Sequence, residues 1–371
     1  MTPTSEAELA ELISAATTPF AIRGGGTRVL NADDGPILDT TGMSGISLYE
    51  PGALTVVAGS GTPVQEIANA LKAENQRLAF EPPNLNDALG TSGESTIGGV
   101  AASNASGPRR IAVGACRDFM LGVRFVDGAG NIVKNGGRVM KNVTGYDLVK
   151  LMSSAHGTLG VLSEVSLKVL PNVEFQVSLR LADLSAQQAI DAMSSALGSP
   201  FEVSGAARDA DGSVLLRFEG FEASVRYRAE SLMKNLAAFG AIEQIEDQET
   251  CEALWSDIRD ARAFAKGQGD LWRISVKPSD APEFLEQVQP SKTLLDWGGG
   301  LIWAELPSGT DIRAKMTVAG HATLMRAGTD NFAKLGRFHP EPTPLAKISA
   351  DLRARFDPKG LFNPGLMGDL S

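Results

Sequence analysis

From Glu81 to Gly114 the chain carries Pro82, Pro83 and glycines at 90, 93, 98, 99, 107 and 114, with small residues filling the gaps between them. No long helix or strand survives such punctuation, and a loop of this length inside a compact domain is normally functional or disordered. A second glycine-rich segment lies upstream, Arg23-Gly24-Gly25-Gly26-Thr27, entered from a short apolar run over 19–22. Glycine lacks a Cβ and tolerates positive φ, so the main chain can approach an anion closely. Successive amides in such a turn form a concave anion site, to which Thr27 adds a hydroxyl. Tight turns alone are the plainer reading of either loop. The alternative is a large cofactor, around which the second loop, with Thr96, Gly98 and Gly99, would supply more amides and hydroxyls. A β-branched residue at Gly99 is expected to block that approach and to resist positive φ.

Composition narrows the alternatives. With 371 residues, 43% hydrophobic and 21% charged, the chain can bury the cores of roughly two domains. A net charge of −10 argues against a broad nucleic-acid surface. Cys116 and Cys251 form neither a CxxC nor a disulfide framework, and two thiols cannot hold a four-thiolate cluster. His156, His321 and His339 are never three or four apart, so no helical zinc pair exists and no metal is expected. There is no GxxxxGK[ST] and no GxSxG, and Val29 stands where a dinucleotide fingerprint needs its last glycine. The acidic N-terminus and the lack of a long apolar run predict a cytoplasmic protein that meets a membrane only through partners.

Patterning predicts a first helix capped by Ser5 with Glu8 closing a capping box, a strand over 54–58, and a helix capped by Thr62 with Pro63 and Gln65 behind it. A hairpin is expected over 121–134 around Asp127-Gly128-Ala129-Gly130, and a strand over 160–170. Beyond Pro171 the text alternates differently: strands over 174–181, 213–218, 271–276 and 301–306, helices over 185–197, 221–239 and 281–288, and an acidic linker over 243–249. All four tryptophans, 255, 272, 297 and 303, fall here and read as core or interface. Two strand–helix–strand passages predict an antiparallel sheet with helices on one face. A last helix over 344–356 leads into a punctuated tail.

The glycine loop over 95–107, the run Lys141-Asn142-Val143-Thr144-Gly145-Tyr146-Asp147 and the run Ala155-His156-Gly157-Thr158-Leu159-Gly160-Val161 resemble the FAD-binding domain of the vanillyl-alcohol-oxidase/PCMH flavoprotein superfamily. The tail Asp357-Pro358-Lys359-Gly360-Leu361-Phe362-Asn363-Pro364-Gly365 is similar to the closing motif of its 2-hydroxyacid dehydrogenase branch. Glu81-Pro82-Pro83, Gly107-Pro108-Arg109-Arg110, Leu271-Trp272-Arg273-Ile274-Ser275, Asp296-Trp297-Gly298-Gly299 and Gly320-His321-Ala322-Thr323 resemble, over essentially the whole chain, the family of FAD-binding subunits of bacterial glycolate oxidases.

The resemblance implies an α+β protein: a PCMH-type FAD-binding domain of two α/β subdomains over 1–171, an antiparallel-sheet cap domain with helices on one face over 172–335, and a C-terminal return over 336–371. It implies FAD with its pyrophosphate on Arg23, Gly24, Gly25, Gly26, Thr27, Thr96, Gly98 and Gly99. Pro83, Asn104, Ser106, Gly107 and Tyr146 would stand near the flavin, Gly160 and Val161 near the adenine, and Asn363 against the isoalloxazine. The first loop reads Thr27-Arg28-Val29, where the superfamily's covalent links use His or Cys, so FAD is expected to be noncovalent; Cys116 is the one thiol near the second loop. The implied reaction is oxidation of glycolate, a small 2-hydroxy acid, to glyoxylate, with a second flavin subunit and an iron–sulfur subunit as partners. His321 is the candidate base, though its surroundings favour a structural or interfacial role. Arg110, beside Arg109, is the candidate carboxylate holder, with a phosphate, a partner subunit or plain solvent as the other readings. The branch's His-rich metal motif and Glu-His pair are missing, so the chain alone is expected to turn over poorly. The alternatives are a non-catalytic FAD scaffold or relay, or a stand-alone oxidase of another hydroxy acid or sugar lactone.

Overall fold

A computed structural model describes residues 1–28, 35–138 and 145–368. Lys141 to Thr144 of the motif above, and Val29, lie outside the described residues.

Ser5 caps the first helix, Glu6–Ala15, by accepting from the Glu8 amide, while the Glu8 carboxylate accepts from the Thr4 amide instead of closing the box on Ser5. The helix buries Leu9 and Ile13 with Phe20, Leu38, Val126, Val161, Leu361 and Phe362. Strands β1 (Ala21–Arg23) and β2 (Ile37–Asp39) form a parallel pair beside it. Then come β3 (Ile46–Glu50), β4 (Thr55–Gly59), the two-residue β5 (Gln76–Arg77), β6 (Met120–Val126), β7 (Ile132–Gly136) and β8 (Val161–Lys168). An antiparallel five-stranded sheet runs β3-β4-β8-β6-β7, and β5 pairs with β9 (Leu170–Pro171). Helix Val64–Ala73 seals it with Ile67 and Leu71, one turn apart and fully buried, each contributing about 1.5–3 kcal/mol. Thr62 does not cap that helix: its hydroxyl donates to the Gly59 carbonyl and accepts from the Gly45 amide, and Gln65 turns to Asn69. The 81–114 stretch holds only short helices, Asn86–Leu89, Ile97–Ser103 and Arg110–Val113.

The second half is one antiparallel sheet. Its strands are β10 (Phe175–Leu181), β11 (Gly205–Arg208), β12 (Val214–Gly220), β13 (Ile242–Ile245), β14 (Asp270–Val276), β15 (Lys292–Asp296), β16 (Leu301–Leu306) and β17 (Gly320–Arg326). The order is β13-β10-β12-β11-β15-β16-β14-β17. The expected acidic linker is instead edge strand β13 followed by helix Gln248–Arg259, capped by Asp247. Ile242 and Ile245 supply just enough apolar surface for an edge. Strands β11, β15 and β17 were not legible: two are short, and β17 mixes Gly, His, Thr and Arg. Helices Ala186–Leu197, Glu222–Leu236 and Ala281–Val288 cover one face, packing on Leu216, Phe218, Trp272, Ile274, Ile302 and Leu324. Alternation sends Leu215, Leu271, Leu294, Leu301 and Trp303 to the other face, where Trp255 and Ile258 of helix Gln248–Arg259 meet Leu85 and Ala88 of the first half.

The tail returns to the N-terminal half. Phe362 bridges Phe20, the Asn363 amide donates to the Phe20 carbonyl at 3.1 Å, and the Phe356 ring lies 6.2 Å from that of Phe125.

Candidate functional site

The two glycine loops meet. A Cβ at Gly24 would strike Thr96 Oγ1, one at Gly25 would overlap the Glu94 carbonyl, and one at Gly98 would press on Ser60. These glycines therefore allow loop to pack on loop. Between the loops lies a cavity of about 200 Å³, lined by residues 21–28 on one wall, by Ser60, Thr96, Gly98, Gly99 and Ala102 on the other, and by Gly160 and Asn363 at its sides. The amides of Gly25, Gly26 and Thr27 donate to no described residue. Two buried side-chain atoms, Ser60 Oγ and His156 Nδ1, also lack partners. Orphaned donors of this kind are costly unless a ligand satisfies them, so the cradle fits a diphosphate-bearing cofactor. Gly98 and Gly99 differ from expectation. Their amides donate to the Ser60 carbonyl and to Thr96 Oγ1, and Gly99 sits in a helix without positive φ, where an added Cβ would meet only Thr96 Oγ1 at 3.3 Å.

A second cavity, of about 400 Å³, shares Arg28, Ser103 and His156 with the first. One wall is Pro83, Asn104, Ser106, Gly107 and Arg110; the other is the open face of the eight-stranded sheet, with Arg273, Asp296, Trp303, His321 and Thr323. The strand period explains this wall: Ala322 and Leu324 of β17 enter the core, so His321, Thr323 and Met325 face the cavity. Ser106 Oγ donates to the Asn104 carbonyl and accepts from the Cys116 amide, which stiffens the loop.

Among the described residues, charge in this cavity is one-sided. Arg28 donates to the Pro83 carbonyl at 2.8 Å and has no carboxylate partner among the described residues. Arg110 and Arg273 stack on the Trp297 ring at 4.5 and 5.1 Å and form no ion pair with a described residue. Burial lowers Arg28 and Arg273 to about 10, so both stay charged at neutral pH. Burial, with Arg273, His339 and Arg110 nearby, lowers His321. Burial and the charges of Arg337, Arg28 and Arg273 bring His156 down to about 4, leaving a neutral imidazole where the cavities join. Asp296 is the one carboxylate among the described lining residues, and burial raises it to about 7 against the opposing hydrogen bond from the Trp297 amide.

The two halves are joined behind this wall by five buried charges. Glu81 pairs with Arg109 and Arg217, while Glu219 pairs with Arg77, Arg109 and Arg217, at 2.6–3.5 Å. Burial works to raise both carboxyls, but the arginines outweigh it and hold them low. Trp297 Nε1 adds a bond to the Gly107 carbonyl at 3.1 Å.

Residues 1–136 match the family described as an FAD binding domain. Glycolate oxidase subunit GlcE of Escherichia coli (strain K12) is 36% identical over 355 residues, covering 94% of this chain and 93% of that protein. The chain belongs to the glycolate oxidase subunit GlcE family. It is an FAD-dependent oxidoreductase acting on CH–OH groups. A D-lactate dehydrogenase of Anaerostipes hadrus is 34% identical over 145 residues, 39% of this chain and 29% of that protein. Among solved structures, a chitooligosaccharide oxidase superposes with a TM-score of 0.68 at 15% identity, covering 100% of this chain and 90% of its own. An alkyldihydroxyacetonephosphate synthase also reaches 0.68 at 15%, covering 98% and 76%. These two report on the fold.

Within the family's frame, the structure brings Arg23 to Thr27, Thr96, Gly98, Gly99, Gly160 and Asn363 to the first cavity, and Pro83, Asn104, Ser106, Gly107, Arg110 and His321 to the second. Val161 is buried in β8 between two lining residues, Gly160 and Leu162, and points away from the cavity into the core. Tyr146 is 88% exposed and lines neither cavity. Asn363 Oδ1 accepts from the Ile22 amide and Nδ2 donates to the His156 carbonyl, so its side chain staples the first cavity's wall. Cys116 is fully buried outside both linings, and burial pushes its thiol up. Sequence reasoning missed Arg28, Ser60, His156, Arg273 and Asp296. Arg273 and Asp296 stand inside motifs already visible, but only strand alternation turns them towards one cavity.

Proposed function

We propose that this chain is the FAD-binding subunit of a complex that oxidises glycolate, or a closely related 2-hydroxy acid, to the 2-oxo acid. Electrons leave through a partner iron–sulfur subunit beside a second flavin subunit. The observation that carries the reading is the set of guanidiniums without carboxylate partners, Arg28, Arg110 and Arg273, on a cavity continuous with the cofactor cradle. Buried cations held without counter-ions call for an anion, and an arginine fork holds a carboxylate bidentately. The cofactor is held noncovalently by the Gly25 to Thr27 amides, Ser60 and His156, and supplies a hydride acceptor when bound. Arg110 and Arg273 then fix the substrate carboxylate, and the apolar Leu301, Trp303 and Met325 limit water around the reacting carbon. A cytoplasmic location, with membrane contact through partners, agrees with the finding that no described helix is long and apolar enough to cross a membrane.

The test is anaerobic flavin reduction by glycolate, D-lactate and a sugar lactone, in the chain alone and in the complex with its partners. Bleaching by the hydroxy acids, lost in Arg110→Ala/Arg273→Ala, is the expected result. Bleaching that depends wholly on the second flavin subunit and ignores both arginines makes this chain a relay.

A further inference from the structure

Among its described lining residues the second cavity has one carboxylate and six arginines, and the placement of that carboxylate is specific. Asp296 ends β15, and its Oδ1 accepts from the Trp297 amide at 2.7 Å, which fixes the carboxyl plane. The other oxygen, Oδ2, has no hydrogen-bond partner among the described residues. The residue is 2% exposed, yet it lines the cavity. Buried carboxylates are ordinarily paired, as Glu81 and Glu219 are behind the same wall. Asp296 has arginines at hand and forms no ion pair among the described residues.

We propose that Asp296 is the general base of the reaction: Oδ2 takes the hydroxyl proton of a 2-hydroxy acid whose carboxylate is held by Arg110 and Arg273. The inference rests on the reading of the second cavity as the substrate site. The step balances as follows. The O–H bond breaks and its proton passes to Asp296; the α C–H bond breaks and its hydrogen leaves with both electrons to the oxidised flavin; the carbon–oxygen double bond of the 2-oxo acid forms. The proton then passes from Asp296 to water as product leaves.

The surroundings support the assignment. A general base works best when its pKa lies near the operating pH. Burial, with Glu81 adding to it, lifts Asp296 to about 7 against the opposing Trp297 amide, Arg217 and Arg273. Arg28, Arg110, Arg259 and His321 face the same cavity. Because the raised group is a carboxyl, the competent ionised form fills as pH rises through about 7, so flavin reduction increases with pH and levels off above it. His321 is the rival base, on the same sheet face but more open to solvent.

The experiment compares wild type, Asp296→Asn and His321→Gln in the FAD-loaded complex. Three quantities are read: flavin reduction by glycolate across about pH 5 to 9, binding of oxalate, which offers a carboxylate and no hydroxyl proton, and the infrared carboxyl band of the substrate-free protein. Asp296→Asn is expected to slow reduction on the order of 10²–10⁴-fold, to lose the pH dependence, to keep FAD and oxalate binding, and to lack a carboxyl band that titrates near 7 in wild type. His321→Gln, on the same cavity wall, is expected to change the rate but to keep the rise of reduction through about pH 7. Wild-type rate and profile in Asp296→Asn overturn the proposal and leave the substrate site standing. So does loss of the profile in His321→Gln alone. A variant that loses FAD or oxalate shows a structural role and also overturns it. Wild-type complex that no 2-hydroxy acid reduces, and that binds no oxalate, overturns the substrate site itself.

Discussion

The two cavities share three residues and are built on opposite plans. The first is main chain: amides of Gly25, Gly26 and Thr27 between loops packed so closely that Cβ atoms at Gly24, Gly25 and Gly98 would collide. The second is side chains: Arg273, Asp296 and His321 from three strands, turned to one face by strand alternation, opposite arginines such as Arg28 and Arg110 from loops and helices. Main-chain cradles suit an invariant diphosphate, because amide dipoles do not depend on side-chain rotamers. Side-chain walls suit a ligand that has to be chosen and a proton that has to move.

The strongest way to break this contrast is at Gly25. Gly25→Val would drive a side chain into the Glu94 carbonyl, and complete loss of FAD is expected, with part of the loop's order. Gly99→Val sharpens the result, since its Cβ points into the cavity and strikes no backbone. It is expected to empty the protein of FAD with an unchanged circular dichroism spectrum. FAD retained by Gly99→Val would move the cofactor off this loop.

Next in size is the ion cluster that fixes one plan against the other. Glu219→Ala leaves Arg77 without a carboxylate and Arg109 with Glu81 alone. A loss of about 3–5 kcal/mol in denaturant unfolding is expected, with FAD still bound by the folded fraction. Since both carboxyls are held low when folded, their contribution is complete above the ordinary carboxylate range and is lost as pH falls through their folded values. Stability that falls in acid more steeply in wild type than in Glu219→Ala would be seen.

Arg110→Ala and Arg273→Ala act only on the side-chain cavity. At about 1.5–3 kcal/mol per charged hydrogen bond, each should weaken oxalate binding roughly 10- to 100-fold in calorimetry without changing FAD content. Equal losses of FAD and oxalate would merge the two cavities into one site. The smallest effect belongs to Cys116→Ser. Acid precipitation should release the same FAD to the supernatant from this variant and from wild type, because a buried thiol pushed up in pKa is a poor nucleophile. Colour kept in the wild-type pellet would show a covalent bond.

The unequal legibility of the molecule follows from the same contrast. Glycines announce themselves, so the first cavity and the loops around it could be named from the text, as could the hairpin β6–β7 and the helices capped by Ser5 and Ser185. Even there the glycines' reason was only half visible: Gly98 and Gly99 use their amides within the protein, and Thr62 serves a turn instead of a cap. Arg28, Arg273 and Asp296 stood in visible text, but nothing local told which way their side chains turn. An arginine on a strand looks like a solvated residue until the sheet's order, with β14 between β16 and β17, shows which neighbours it has. Tyr146 shows the converse, a residue in a persuasive motif that faces solvent.

The five-charge cluster also bears on how the chain reaches its final form. Its ion pairs join residues 136 and 142 positions apart, Glu81 to Arg217 and Arg77 to Glu219, whereas each sheet contains tight pairings such as β11–β12 and β6–β7. Closing a long loop costs entropy before any contact rewards it, so the hairpins assemble first and the charges meet last. Until they meet, the wall holding Pro83 and Gly107 has no partner sheet, and the side-chain cavity does not exist. The glycine loops of the main-chain cradle are nearer in sequence, all within residues 21–103, so they can pack on each other while the substrate's site is still in two pieces; His156 and, across 341 positions, Asn363 then close the cradle.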